Sequence, residues 1–279
     1  MHLLTVDDDG TFRLETFTEP NIPPYAILSH TWGNDTEEVT FQDILDGAGN
    51  NKAGYQKLRF CGNQAKADSL SYFWVDTCCI DKSNEKELTT AINSMFRWYK
   101  NAARCYVYLT DVSIRTQDGL ALHMEWDSSF RNSRWFTRGW TLQELLAPKI
   151  VEFYSRDLVR LGDRTSLERQ IHGITDITVE ALRGRGLQDF SIQERFQWGE
   201  KRQTTIGEDM AYCLLGIFDV FLPLIHGEGR TSAMRRLRRE VEDRASEKYN
   251  SRTLGKECTI NSSSSFNLTI LIQVISTVR

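Results

Sequence analysis

Nothing in this sequence carries the G-x-G-x-x-G turn of a dinucleotide-binding unit or the G-x-x-x-x-G-K-[ST] loop that cradles nucleotide phosphates. Neither kind of glycine-rich site is expected. C-x-x-C and H-x-x-x-H spacings are also missing, and the adjacent Cys78 and Cys79 make an awkward tetrahedral pair, so no metal is expected. No apolar run approaches the ~20 residues of a bilayer-spanning helix; the stretch 268–275 is far shorter, and no membrane span is expected. The amino terminus lacks the basic and apolar regions of a secretory signal, and the six cysteines sit mostly inside apolar stretches. A reduced, cytoplasmic protein is expected. An excess of positive charge is absent too. With 34 Lys and Arg against 38 Asp and Glu the net charge is −4, and the basic residues are dispersed apart from a cluster at 235–239. Composition thus gives no case for nucleic acid as a partner.

What the 279 residues do contain is 40% hydrophobic and 26% charged side chains, enough for a sizeable core. Three hydrophobic runs, YAILSHTWG (25–33), YFWVDTCCID (72–81) and CYVYLTD (105–111), each break at their carboxyl ends into polar, Trp- or Cys-bearing residues. Open parallel sheets bind ligands outside the carboxyl ends of their strands, so these ends are where chemistry is expected. Between the runs, residues 54–70 repeat apolar side chains at helical spacing. A second helix is signalled by Asn84 as cap, Glu87 completing a capping box, and a stripe of Leu88, Ile92, Met95, Phe96 and Tyr99. Strand, helix, strand, helix, strand, with crossovers long enough for parallel pairing, predicts a doubly wound α/β sheet.

A hairpin turning at Asp9-Gly10 is expected to flank the sheet. Residues 112–136 read as a loop or short helix over the crevice, followed by a helix from near Thr137 to Pro148 and a fourth strand at 150–154. These elements give an α/β core at 1–160. Amphipathic helices at 166–172, 191–200, 207–218 and 231–245 make a helical region over 161–245. The Ser-, Thr- and Asn-rich segment 246–279 reads as a disordered or extended tail, with a β-prone stretch at 268–274.

On the helix containing RGWTLQELLAP, a wheel at about 100° per residue groups Leu142, Leu145 and Leu146, and puts Trp140 and Glu144 together on nearly the opposite side. An indole beside a carboxylate away from the leucines means either a second packing surface or a ligand cleft. Asp76 and Asp81 bracket Cys78-Cys79 just past a strand end. Those cysteines are either small buried residues or, with His30 nearby, a thiolate nucleophile. Ser29, His30 and Trp32 end the first strand and are candidates to line a pocket.

AILSHTWG, FWVDTCCIDK and RGWTLQELLAP, in this order and at these separations, resemble the three signature blocks of the fungal HET domain of heterokaryon (vegetative) incompatibility proteins. The resemblance continues through INSMFRWY, CYVYLTDVS and AYCLLGIFDVFLPLIHGEG, and covers roughly residues 1–245. It is nearest to the proteins in which a HET domain precedes a NACHT-type NTPase and WD repeats. The resemblance implies a cell-death effector in nonself recognition, with self-association when active and other incompatibility proteins as partners. The P-loop and repeats of that larger architecture are absent, so a truncated or alternatively spliced product is expected.

HET domains are in turn similar to TIR domains, which implies a flavodoxin-like sheet. In TIR domains that cleave NAD+, a glutamate four residues after a tryptophan lies at the carboxyl edge of the sheet, and Trp140 and Glu144 occupy matching places. By that analogy Glu144 is the catalytic carboxylate for breaking the nicotinamide–ribose bond, with NAD+ as substrate and no resident cofactor. Ser29, His30, Trp32, Asp76, Arg138 and Trp140 are then the substrate-binding residues. The alternative is a non-enzymatic signalling module that triggers death by recruiting partners, with Trp32 and Trp140 as interface anchors.

Overall fold

The structure, a computed structural model, describes residues 1–7, 9–114 and 125–262. In chain order it holds β1 (His2–Val6), β2 (Phe12–Thr16), β3 (Tyr25–His30), α1 (Phe41–Leu45), α2 (Tyr55–Ala67), β4 (Tyr72–Trp74), α3 (Glu85–Asn101) and β5 (Arg104–Leu109). After these come α4 (Glu125–Arg131), a 3-10 turn at Arg134–Thr137, α5 (Thr141–Leu146), β6 (Val151–Ser155) and β7 (Arg160–Asp163). The helices α6 (Glu168–Thr175), α7 (Val179–Leu182), α8 (Ile192–Glu200), α9 (Asp209–Tyr212), α10 (Leu215–Phe218) and α11 (Gly229–Ser262) follow.

The strands form one mixed sheet in the order β2-β1-β4-β3-β5-β6-β7. Its centre, β4-β3-β5-β6, is parallel, and antiparallel pairs extend it at both edges. All six residues of β3 are buried, as a central strand covered on both faces requires. The fold class is therefore α/β, with flanking helices and a helical carboxyl-terminal region. From β3 the chain steps to β4 on one side, then returns past β3 to β5 on the other. Connections diverge at the β3/β5 boundary, and in open α/β sheets that divergence opens the ligand crevice.

Side-chain alternation assigns the faces. Phe60 of α2 packs its ring on Tyr106, Tyr108 and Tyr154. In register, His30 pairs with Tyr108 on that face, whereas Ser29 pairs with Val107 on the other, where the Cys105 thiol reaches the Glu144 carbonyl of α5.

Several expectations are corrected in detail. The amino-terminal hairpin joins the sheet itself, Leu4 pairing with Phe73. Asn84 caps α3 by accepting from the Glu87 amide at 3.2 Å, but Glu87 does not close the box, because its carboxylate accepts from the Asp81 amide at 2.9 Å. Reciprocal boxes are found at α1, between Thr40 and Asp43, and at α8, between Ser191 and Glu194. The helix expected from Thr137 starts only at Thr141, and all six of its residues are buried, so it has no solvent-facing side. β7 was not signalled, being only four residues, Arg-Leu-Gly-Asp, with a glycine inside and charged residues at both ends.

The helical region packs on α3 through α10, where a side chain at Gly216 would collide with Phe96. Asn93 of α3 secures the following segment by bonding both the amide and the carbonyl of Leu222, at 3.2 and 3.1 Å.

The chain divides into two compact units, Met1–Met234 and Arg235–Arg279. Within the second, residues 246–262 are helical as part of α11, although a disordered tail was expected from 246. Once a helix is nucleated each added residue gains a hydrogen bond, and polar residues without proline do not stop it. The β-prone stretch 268–274 lies outside the described residues. Among the described residues no helix is long and apolar enough to cross a membrane.

Candidate active site at the carboxyl edge of the sheet

Ser29, fully buried near the end of β3, donates its hydroxyl proton to Glu144 Oε2 and accepts from the Trp135 indole N–H at 2.8 Å. Trp135 belongs to the 3-10 turn and is itself fully buried, its ring held edge-on by Phe136 and Phe153. The turn is tied down in two places by Asp111, which accepts from the Ser133 hydroxyl at 2.8 Å and the Arg134 amide at 2.7 Å. α5 then delivers Glu144 into the interior with only 6% of the residue exposed.

Burial disfavours the charged form of a carboxyl, and among the described residues no cation forms an ion pair with this one. Desolvation pushes Glu144 from the ordinary 4.5 up to about 8; the Ser29 hydrogen bond and the charge of Arg202 oppose that rise, while the Asp76 charge adds to it. At neutral pH Glu144 is therefore mostly protonated. Arg202, 3% exposed, is pinned nearby, its Nη1 donating to the Arg138 carbonyl at 2.9 Å and to the Thr141 hydroxyl at 2.7 Å. Burial brings the guanidinium down to about 10.

A second group forms the rim. His30 Nε2 lies 3.0 Å from Asp76 Oδ1, and the Trp32 indole donates to Asp76 Oδ2 at 2.8 Å. Lys82 sits 3.9 Å over the Trp32 ring, and the Arg134 guanidinium donates to the Trp32 carbonyl at 2.9 Å. Burial works to raise Asp76, but the hydrogen bond and charge of His30, with Lys82 and Trp32, bring it below its ordinary value. This carboxylate is ionised where Glu144 is not.

Of the residues singled out in the sequence, the structure thus joins Ser29 to Glu144, and His30 and Trp32 to Asp76. Arg138 and Trp140 go elsewhere. Arg138 donates to the Thr205 hydroxyl at 3.0 Å, and the Trp140 indole donates to Asp209 of α9 at 2.9 Å. Trp140 is the N-cap of α5 with helical backbone angles, and its indole is taken up by Asp209 rather than by the Glu144 carboxyl. Sequence reasoning missed Trp135 and Arg202 as site residues. The signal for Trp135 was an indole embedded in an otherwise polar stretch.

The thiol nucleophile is overturned. Cys78 and Cys79 are buried, Cys78 donating to the Val39 carbonyl at 3.1 Å, while His30 is engaged by Asp76. Burial pushes the Cys78 thiol up to about 12 and Cys79 well above its ordinary value, the opposite of a reactive thiolate.

A family profile described as Heterokaryon incompatibility protein (HET) matches residues 25–124, the segment from β3 through β5 that carries Ser29, His30, Trp32 and Asp76. Over 242 residues, 86% of this chain, the sequence is 57% identical to the Vegetative incompatibility protein HET-E-1 of Podospora anserina. The chain carries a HET domain. The aligned part makes up 18% of that relative's own length, so the chain spans a small share of the curated protein it matches. No solved structure matches. An alignment of 242 residues in a chain of 279 runs through α5, so the relative aligns with the segment that carries Glu144.

Proposed function

We propose that this HET domain is the effector of a cell-death reaction in heterokaryon incompatibility, and that it acts by cleaving the nicotinamide–ribose bond of NAD+. The observation that carries the reading is Glu144: a carboxyl buried without a cation, held by the Ser29 hydroxyl at the carboxyl edge of a parallel sheet. Strongly perturbed carboxyls in such places are candidates for catalysis. The parallel strands run β4-β3-β5-β6 and Glu144 follows the third of them in sequence, which supports the analogy with TIR domains.

In this reading the C–N bond breaks with its electron pair leaving on nicotinamide, which departs neutral, while positive charge develops on the ribose. Water adds to the sugar carbon and releases a proton. The ionised form of Glu144 stabilises the oxocarbenium-like sugar. A pyridinium arriving nearby lowers the proton affinity of the carboxyl, and Ser29, hydrogen-bonded to it, offers the first step of an exit path. Asp76, already ionised, adds negative charge on the same edge. The active form is expected to be an assembly of several copies; full activity from a species that light scattering shows to be monomeric would exclude this.

A recruitment module is the second reading, and one observation favours it: Trp32 is 41% exposed, an aromatic anchor at the rim with Lys82 against its ring. NAD+ consumption by the purified chain, concentrated or forced to cluster, separates the two beside Glu144→Gln. Turnover that is lost in the variant supports the hydrolase. Absence of turnover from both, with killing retained in cells and abolished by Trp32→Ala, supports recruitment.

A further inference from the structure

On the α2 face, opposite Glu144, a cleft of about 250 Å³ opens between the ends of β3 and β5. Its walls come from the segment after β3 (Thr31, Gly33, Glu38), from Lys57 of α2, from Tyr108 and Thr110 at the end of β5, and from Arg134. This is the boundary where the chain connections diverge, the position at which doubly wound sheets hold their ligands.

Glu38 and Lys57 are both more than nine-tenths buried and form an ion pair. Glu38 Oε1 also accepts from the Gly33 amide at 2.7 Å, and Lys57 Nζ also donates to the Thr31 carbonyl at 3.1 Å. Glu38 Oε2, by contrast, is buried with no hydrogen-bond partner. A side chain at Gly54, which also lines the cleft, would come within 2.8 Å of that oxygen and of the Glu37 carbonyl, so only glycine fits beside it. A buried carboxylate oxygen without a donor is costly, and the group that relieves it must bring one. Arg134 is exposed on the same cleft and spends one N–H on the Trp32 carbonyl, leaving further donors for an anion.

We infer that this cleft is a binding site for the ribose-phosphate part of a nucleotide, with the ribose hydroxyls donating to Glu38 Oε2 and the phosphate held by Arg134. A carboxylate that receives ribose hydroxyls is the usual way doubly wound folds hold that sugar. The size agrees: about 250 Å³ lies below the ~300 Å³ at which pockets begin to enclose whole small molecules, so the sugar and phosphate enter and the base stays outside. A plain inorganic anion would leave Glu38 Oε2 unsatisfied, and a polyol without phosphate would leave Arg134 unused. The site lies on the other face of β3 from Ser29 and Glu144 and does not depend on the reaction proposed for them.

The test is calorimetric titration of the purified chain with ADP, alongside Arg134→Ala, Thr110→Trp and the ligand 2′,3′-dideoxy-ADP, with circular dichroism confirming that each variant is folded. Saturable one-site binding is expected for the parent. Arg134→Ala, an exposed change, should weaken it by about tenfold or more, as should removal of the ribose hydroxyls, these being hydrogen bonds to charged groups. Thr110→Trp should abolish it by filling the cleft. No saturable binding of ADP to the parent overturns the inference, as does binding equally tight in Arg134→Ala and for the dideoxy ligand. ADP has no nicotinamide bond, so its binding is read without turnover, and failure here is distinguishable from failure of the Glu144 hydrolase.

Discussion

Two buried glutamates flank β3, Glu38 on the α2 face and Glu144 on the α5 face, and they meet the cost of burial in opposite ways. Glu38 is given a cation, Lys57, and a backbone N–H. Glu144 is given a serine hydroxyl and no contacting cation, and burial holds it near 8. An isolated charge in a low-dielectric interior is either paired or neutralised by a proton. The paired arrangement suits a structural or binding role. The neutralised one stores a proton affinity that an arriving cation can change, which is what a catalytic carboxyl requires.

That contrast makes the two faces respond differently to mutation. Lys57→Met leaves Glu38 charged and buried without its partner, and should cost about 3–5 kcal/mol in urea unfolding. Adding Glu38→Leu should recover most of the loss; if the double variant is no more stable than the single, the pair is not what holds that face together.

Glu144 should show instead in the pH dependence. Its folded-state affinity for a proton is raised from 4.5 to about 8, so the folded state keeps a proton that the unfolded state releases. The contribution is fully present below pH 4.5, declines as pH rises through the interval, and is lost above about 8, a total of a few kcal/mol. Glu144→Gln carries no such slope. It should match the parent within about 1 kcal/mol at low pH and exceed it by a few kcal/mol at high pH. Parallel stability curves for the two would place the carboxyl outside the interior.

If Glu144 must be ionised in the free enzyme, kcat/KM for NAD+ cleavage should climb tenfold per pH unit up to about 8 and level off above it. A profile flat across this range would remove Glu144 from the reaction. Trp135→Phe deletes one donor to Ser29 and should cost about 1 kcal/mol. Smallest of all, Lys201→Ala breaks an ion pair with Asp176 in which both partners are largely exposed, and should leave the unfolding midpoint unchanged within error.

Much of the sheet was legible because its strands are long apolar runs with polar ends, and its first helices have ordinary periodicity. YAILSH became β3 and CYVYL lies within β5, in the parallel arrangement that their spacing implied. Ser29, His30 and Asp76 were singled out by the same logic, since strand ends are where open sheets put polar groups. Trp140 shares the helical backbone of α5, but a wheel says nothing of partners from other segments, and its indole is bonded by Asp209 of α9. Arg202 could not be seen at all: its role comes from reaching the Arg138 carbonyl, 64 residues away in the chain.

The sequence by itself determined the α/β class, the parallel core and the HET resemblance, because each rests on local pattern or on contiguous motifs. Only the tertiary structure decided that Glu144 is enclosed and protonated while Asp76 nearby is ionised, and that Glu38 and Lys57 meet beneath a cleft. Proton affinity is set by which dipoles and charges surround a group and how much water they exclude, and those neighbours come from segments far apart in the chain.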